Sequence, residues 1–302
     1  MQFLAFWCIY PFLWLISKLP FRLLYVFSDG VYLLLYRLIG YRKKVVRYNL
    51  NIAFPNKSAQ ELKKIEKRFY HHLCDSFLEM IKSISLTEAQ LKARYTFTNV
   101  ELMQEFENQG RLVFLQMGHY ASYEWSFALQ LYLKNSGHAI YKKIRNPYFD
   151  KMAQKIRGKW NTHLVPNKRS RILVAKMVKA KEVTVFGFAA DQTPRLPKAH
   201  YWPKFLGHEI PFFTGVEQMA KAYDVPVIHL AVTKIKRGYY QGTFHLLSDD
   251  PKSVPDFELT NAFAKALETQ ILQDPAYYLW THKRFKWLGR KHDSPAGKKS
   301  KS

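Results

Sequence analysis

The chain has 302 residues, enough for one large α/β domain or two small ones with a full core. Lysine and arginine total 47 against 23 aspartates and glutamates, a formal charge of +24, and 16% of the residues are aromatic. The two cysteines, Cys8 and Cys74, form no C-x-x-C motif, which excludes a disulfide framework and favours a reducing compartment. The charge predicts a polyanionic partner: nucleic acid, anionic lipid or an acidic carrier protein.

The N-terminal region is apolar and then basic. Residues 3–16 are almost wholly apolar but fall short of the ~20 residues of a spanning helix, and Pro11 interrupts them. No basic segment precedes this run and no small-residue cleavage site follows it, so we do not expect a cleaved signal peptide. Residues 18–47 alternate apolar blocks with lysine and arginine, which favours a segment lying in the head-group layer on the cytoplasmic side, although core helices are an alternative. We therefore predict a membrane-anchoring region over residues 1–50.

A long amphipathic helix is predicted next. Ser58 and Glu61 have the spacing of a capping box, in which each side chain bonds an early backbone amide of the helix. Apolar residues then recur at mostly three- and four-residue steps. The predicted buried stripe consists of Leu62, Ile65, Phe69, Leu73, Phe77 and Ile81.

From residue 111 onward, short apolar strands alternate with helical segments. Strands are predicted over residues 111–117, 138–141, 183–190, 225–232 and 242–246. Helices are predicted over 120–133, from Asn146-Pro147, over 169–179, after a second capping box at Thr214 and Glu217, and over 257–271. Strands that alternate with helices and are apolar on both faces indicate an α/β sheet. We assign residues 51–290 to this domain and 291–302 to a basic, disordered tail.

The sharpest local motif is an H-x4-E sequence, His119 to Glu124, directly after a predicted strand. Strand ends in open α/β sheets are where ligand sites form. The two residues are offset by ~140° on a continuous helix, so they meet only if His119 lies in the turn and Glu124 on the next helix. There the carboxylate would fix the imidazole tautomer and make the other ring nitrogen a base. Taken alone, the motif is weak, because a structural histidine beside a solvated glutamate is the commoner arrangement.

Several segments in order strengthen this interpretation, because the chain resembles the bacterial lipid A biosynthesis acyltransferases, within the wider lysophospholipid acyltransferase group. The resemblance covers nearly the whole sequence, and its most specific block is similar to the terminal W-x-H-[RK]-R-F-K of that family. The matching segments are residues 47–55, Gly118 to Glu124, Asn146-Pro147, Arg157-Gly158, Ala190-Asp191-Gln192, residues 205–207 and Tyr278 to Lys286. Many relatives carry Gly-Asn where this chain has Ala121-Ser122, a change that we expect to leave the His–Glu geometry intact.

The resemblance implies a mixed central sheet flanked by helices, as in glycerol-3-phosphate acyltransferases. It also implies that His119 is the general base, that Glu124 orients it, and that Arg157 stabilises the thioester oxygen or binds a phosphate. It implies substrate-binding roles for Arg157, Asp191, Gln192, Lys142, His282 and Arg284. The last two would lie near the membrane surface or the phosphates of the acceptor.

The implied reaction moves an acyl chain from a thioester on acyl carrier protein, or on coenzyme A, to a hydroxyl of a lipid A precursor. It would take place at the cytoplasmic face of the inner membrane, among its phospholipids, and needs no cofactor. No metal is expected, because no H-E-x-x-H or similar ligand spacing occurs. Acylation of an aminolipid, lysophospholipid or glycolipid is the nearest alternative, followed by a non-catalytic membrane-surface protein. A nucleic-acid-binding protein is disfavoured, because no recognised motif accompanies the basic aromatic C-terminal block. Ser122 lies outside a G-x-S-x-G motif, which disfavours a serine hydrolase.

Overall fold

The computed structural model describes residues 2–296. Ten α-helices of this range are α1 (Gln2–Lys18), α2 (Phe21–Tyr32), α3 (Lys43–Ala53), α4 (Ala59–Lys82), α5 (Glu88–Lys92), α6 (Glu101–Asn108), α7 (Pro147–Arg157), α8 (Ser170–Lys179), α9 (Gly215–Tyr223) and α10 (Glu258–Gln273). The strands are β1 (Tyr95–Phe97), β2 (Val113–Met117), β3 (Gly137–Tyr141), β4 (Thr162–Pro166), β5 (Val185–Ala189), β6 (Lys204–Phe205), β7 (His208–Glu209), β8 (Val227–Lys236) and β9 (Tyr239–Ser248). A π-helix (Leu33–Ile39) continues α2, and a long 3₁₀ helix (Tyr123–Leu131) follows β2.

Seven strands form one sheet in the order β1-β9-β8-β2-β5-β3-β4, and β6 and β7 form a separate short pair. All neighbours in the large sheet are parallel except β8 and β9, which are antiparallel. The prediction of a mixed α/β sheet flanked by helices is therefore confirmed. Strands β1 and β4 were not predicted, because they are short and carry no continuous apolar run.

The sheet separates two apolar cores. Alternate side chains of β2 point to opposite faces, so Val113 and Leu115 belong to the larger core and Phe114 to the smaller one. Helices α3 and α4 pack in the larger core, whereas α8 and α9 cover the other face. Because all five residues of β2 are buried, its carboxyl end is fixed on both sides of the sheet.

Capping boxes were predicted at the N-termini of two helices, α4 and α9. Ser58 accepts the Glu61 amide while Glu61 accepts the Ser58 amide, so the first capping box is confirmed. The second, at Thr214, is wrong: Glu217 instead accepts bonds from the Phe257 amide and the Thr260 hydroxyl. Because the Glu217 carboxylate is hydrogen-bonded at the start of α10, it does not form the reciprocal capping bond at the start of α9.

The predicted stripe of α4 is largely but not wholly buried. Ile65, Phe69 and Ile81 lie in the cores, but Phe77 is 55% exposed, so its assignment to the buried stripe is wrong. The predicted boundary at residue 50 falls inside α3. Residues 291–296 of the predicted tail are described and include a short 3₁₀ turn (Lys291–Asp293), while residues 297–302 lie outside the described range.

The N-terminal helices expose many apolar side chains. None of the described helices is by itself both long and apolar enough to span a bilayer. The segments Phe21–Ile39 and Lys43–Ala53 reach that length and hydropathy together, with a bend of 92° between them. The most exposed apolar side chains of this region are Leu4, Trp7, Phe12, Leu15, Leu23, Val26, Leu33, Leu38 and Ile39.

Candidate active site

The site forms where β2 and β5 end side by side. Met117 pairs with Ala189 in the parallel register, so the residues that follow each strand emerge at the same edge of the sheet. A side chain at Gly118 would force the buried Leu267 side chain of α10 to shift, which favours glycine at this position. His119 lies two residues beyond the end of β2, and the buried Asp191 lies two residues beyond the end of β5.

His119 and Asp191 form a buried hydrogen-bonded pair. The His119 Nδ1 atom lies 2.6 Å from Asp191 Oδ1, and the two side chains are 15% and 2% exposed. Burial alone would lower the pKa of His119, but the adjacent Asp191 carboxylate outweighs it and the net shift of the pKa is upward. Correspondingly, His119 holds the pKa of Asp191 below its usual range despite burial. With Nδ1 bonded to the carboxylate, Nε2 is the ring nitrogen that remains for proton transfer.

Glu124 occupies a different position from the one predicted. Its carboxylate accepts from Arg157 Nε at 2.8 Å and also from Arg157 Nη2, a bidentate pair. The orienting hydrogen bond assigned to Glu124 is therefore made by Asp191, because the 3₁₀ helix that carries Glu124 directs it toward the end of α7. Burial lowers the pKa of the Arg157 guanidinium, and Glu124 reverses this to a net rise. Glu124 still contributes to the field at His119, where its charge favours the imidazolium.

Two other predicted substrate-binding residues lie at the same edge. Gln192 Nε2 is 3.4 Å from His119 Nε2, so this amide faces the nitrogen that is available for chemistry. Lys142 directly follows β3, the neighbour of β5, and is exposed. Lys142 therefore lies at the rim of the site and not beside the His119 imidazole.

The surface position predicted for Arg284 is wrong, whereas His282 is partly exposed and its predicted role stays a prediction. Arg284 is 1% exposed, and its Nη1 donates to Thr193 Oγ1 and to the Pro211 carbonyl. His282 Nε2 accepts from the Thr193 amide at 3.0 Å, and burial together with Arg284 lowers the pKa of this imidazole to about 4. Both residues therefore hold the loop after Asp191, and Arg284 does so from within the core. The charge of Arg284 suggested that its side chain is exposed, but its guanidinium group lies against the rings of Phe205 and Phe212.

An apolar cleft of about 160 Å³ leads to the imidazole of His119. Helix α4 supplies Phe69, Leu73, Phe77 and Met80 on one side. His119, Tyr123 and Glu124 are polar residues of the lining, and Ala121, Tyr277, Tyr278 and Leu279 complete it. The exposure of Phe77, unexpected for a core stripe, is explained by its place in this lining. Sequence periodicity identified the α4 residues but could not distinguish a cleft from a core.

The sequence is similar to known proteins over most of its length. Residues 1–287 match the family described as bacterial lipid A biosynthesis acyltransferase. The chain belongs to that family. It is 25% identical over 276 residues to the lipid A biosynthesis lauroyltransferase of Escherichia coli, which covers 91% of this chain and 89% of that protein. It is 22% identical over the same length to the lipid A biosynthesis palmitoleoyltransferase of Escherichia coli and to a lipid A biosynthesis acyltransferase of Shigella flexneri, with 88% of each covered.

This member of the acyltransferase family carries its polar site on four elements from three separate stretches of the sequence. The ends of β2 and β5 supply His119 and Asp191, the 3₁₀ helix supplies Glu124, and the end of α7 supplies Arg157. Within residues 2–296 no three His, Cys, Asp or Glu side chains cluster closely enough to hold a metal ion. Cys8 and Cys74 are both free thiols, one exposed and one buried.

Proposed function

We propose that this acyltransferase moves a fatty acyl chain from an acyl thioester to a hydroxyl of a lipid A precursor, with His119 as the general base. The observation that carries the proposal is the His119–Asp191 pair at the polar end of an apolar cleft. An imidazole oriented by a carboxylate suits proton abstraction, and an apolar lining suits an alkyl chain.

The chemistry follows from the free ring nitrogen. His119 Nε2 accepts the proton of the acceptor hydroxyl while the oxygen attacks the thioester carbon. The new C–O bond forms, the C–S bond breaks, and the proton on Nε2 returns to the departing thiolate. Asp191 keeps Nδ1 protonated and stabilises the imidazolium formed between these steps. No covalent acyl-enzyme is required.

Arg157 is the proposed cation of the site. Its Nε and Nη2 atoms bond Glu124, which leaves Nη1 outside the bidentate pair. That nitrogen could donate to the thioester oxygen as negative charge develops, or to a phosphate of the acceptor. Glu124 then acts by fixing the guanidinium plane rather than by touching the imidazole.

The donor and the location are proposed on charge and surface chemistry. An acidic acyl carrier protein complements the +24 charge of the chain, with coenzyme A as the alternative donor. The exposed apolar side chains of α1, α2 and the π-helix suit the cytoplasmic face of the inner membrane, where the acceptor and phospholipids lie.

The test is transfer by the purified protein in detergent. Lauroyl and palmitoleoyl thioesters are supplied on carrier protein and on coenzyme A, with a tetra-acylated lipid A precursor or a mixed lipid extract as acceptor. Mass spectrometry should detect a product heavier by one acyl group, and His119→Ala should abolish it while leaving the melting temperature close to that of the parent. The donor used identifies the carrier.

Other results would correct the proposal at defined points. A product on a phospholipid or aminolipid alone would retain the reaction and replace the acceptor. Turnover retained in His119→Ala would remove the general-base mechanism. No product from any donor would leave a membrane-surface binding protein as the better interpretation.

A further inference from the structure

The two members of the His119–Asp191 pair lie on separate loops. His119 follows β2 and Asp191 follows β5, and both loops leave the sheet at the same edge. The distance of 2.6 Å between His119 Nδ1 and Asp191 Oδ1 therefore depends on what holds each loop beyond the sheet. Both loops are hydrogen-bonded to one stretch of chain, residues 277–284, which we call the terminal segment.

The terminal segment holds the His119 loop through backbone hydrogen bonds. The Leu279 amide donates to the His119 carbonyl at 3.1 Å, and the Ala121 amide donates to the Tyr277 carbonyl at 2.9 Å. Ala121 has a φ of +49°, a conformation that is disfavoured for a residue with a Cβ atom. Contacts with the terminal segment therefore help to keep this loop in the conformation that presents the imidazole.

Thr193 joins the Asp191 loop to the same segment. It lies two residues after Asp191 and is 7% exposed. Its amide donates to His282 Nε2 at 3.0 Å, and its hydroxyl donates to the Arg284 carbonyl at 2.9 Å. The hydroxyl oxygen also accepts from Arg284 Nη1 at 3.0 Å. Both bonds to Arg284 need the hydroxyl group, whereas the bond to His282 needs only the backbone.

The terminal segment is itself anchored to α3. The Asn49 side chain is fully buried, and its Nδ2 atom donates to the Trp280 carbonyl at 2.8 Å and to the His282 carbonyl at 2.7 Å. Both hydrogen atoms of this amide are thus used within the terminal segment. The contact joins the first and the last of the segments that resemble the family, and it fixes the support on which both loops rest.

We infer that Thr193 is a positioning residue, which keeps Asp191 against His119 by bonding the Asp191 loop to the terminal segment. Its side chain need not touch substrate, because the effect passes through the loop backbone to the carboxylate two residues away. The expected effect on turnover rests on the proposed function, whereas the expected effect on the pKa of His119 does not.

The test compares Thr193→Val with Thr193→Ser. Valine keeps the β-branched shape but has no hydroxyl, so the loop loses both bonds to Arg284. The kcat of Thr193→Val should fall about 10- to 100-fold, as expected when a reacting group is displaced by about 1 Å. Serine keeps the hydroxyl, so the kcat of Thr193→Ser should stay close to that of the parent. Equal losses in the two variants would overturn the inference.

The pKa of His119 provides a readout that is independent of turnover. Burial and the Arg157 charge lower this pKa, whereas Asp191 and Glu124 raise it. Followed by NMR of histidine-labelled protein, it should fall in Thr193→Val as Asp191 moves away, and remain near the parent value in Thr193→Ser. An unchanged pKa in Thr193→Val contradicts the inference even if activity is lost. If the parent has no turnover but this pKa difference is present, the proposed function is rejected and the positioning role is kept.

Thr184 offers a matched control for the loss of a buried hydroxyl. It directly precedes β5, at the end of the strand opposite to the site, and is 5% exposed. Its hydroxyl donates to the Ser136 carbonyl at 2.6 Å. Thr184→Val should lower the melting temperature but leave kcat and the pKa of His119 near their parent values. Equal changes of both quantities in Thr184→Val and Thr193→Val would indicate general destabilisation and overturn the inference.

A smaller side chain keeps the test possible if Thr193→Val does not fold. Thr193→Ala then replaces it in the comparison with Thr193→Ser. The space vacated by the side chain can take a water that bonds the Arg284 guanidinium, while the direct link from the loop to the terminal segment is still lost. The same fall in kcat and in the pKa of His119 is required of this variant.

Discussion

At the scale of single residues, the site divides its two carboxylates between two tasks. Asp191 bonds the imidazole, and Glu124 bonds the guanidinium. The two acids are therefore not interchangeable, although the charge of Glu124 also acts on His119. Their amide isosteres provide a matched pair of variants that separates orientation of the base from placement of the arginine.

Asp191→Asn should lower kcat/KM about 10²- to 10⁴-fold and move the acidic limb of the pH profile to lower pH. The limb moves to lower pH because Asp191 raises the pKa of His119, whereas burial alone lowers that pKa. Neutral His119 is the active base, so the parent activity should rise with pH through a midpoint above about 6.5. Glu124→Gln should reduce the rate by about 10²-fold with a smaller displacement of the limb. Equal displacement in both variants would contradict this division of roles.

The residues of the site also show what a sequence can indicate. His119 and Asp191 were each predicted at a strand end, because β2 and β5 are continuous apolar runs. Their pairing was not predicted, since it depends on β2 and β5 being neighbours, which brings together two residues 72 positions apart. The H-x4-E spacing favoured Glu124 because it is local. The buried Arg284 was predicted at the surface because charge gives no sign of an aromatic cage around it.

At the scale of elements, buried polar groups join the N-terminal helices to the sheet. Glu79 of α4 accepts the hydroxyls of Tyr25 of α2 and Tyr240 of β9, both at 2.8 Å. Arg237, in the turn between β8 and β9, bonds Asp29 of α2 and Asp75 of α4. Amphipathic periodicity predicted α4 but not these bonds, which join residues from 54 to 208 positions apart.

Glu79 should make stability depend on pH. Burial raises its pKa to about 7, from an ordinary value near 4.5. Protonated Glu79 adds up to about 3 kcal/mol to the free energy of unfolding. This contribution is complete below about pH 4.5 and is lost as the pH rises through about 7. Glu79→Gln cannot ionise, so its melting temperature should fall less than that of the parent between pH 5 and pH 8 in one detergent. Parallel decreases in the two proteins would show that Glu79 does not retain its proton.

At the scale of the whole molecule, the exposed apolar side chains of the N-terminal helices bear on the proposed membrane association. Exposed apolar side chains concentrate on α1, α2 and the π-helix, which pack on the α4 side of the sheet. The cleft is lined by α4 as well, so the same helix separates the apolar surface from the site. An acyl chain held near the interface could therefore reach His119 without the protein leaving the membrane.

This arrangement predicts that a few α1 side chains contribute strongly to vesicle binding. Trp7 and Phe12 are 54% and 66% exposed, and replacing both with glutamine should weaken partitioning at least about tenfold, since a buried side chain of this size contributes about 1.5–3 kcal/mol. Ile172→Gln is the control, because Ile172 is 75% exposed on α8, across the sheet. Sedimentation with phosphatidylethanolamine–phosphatidylglycerol vesicles at about 0.5 M salt suppresses the contribution of the positive charge. Equal losses in the two variants would indicate nonspecific apolar contact, whereas a loss confined to the α1 variant, with unchanged melting temperature, would identify α1 as the membrane-binding surface.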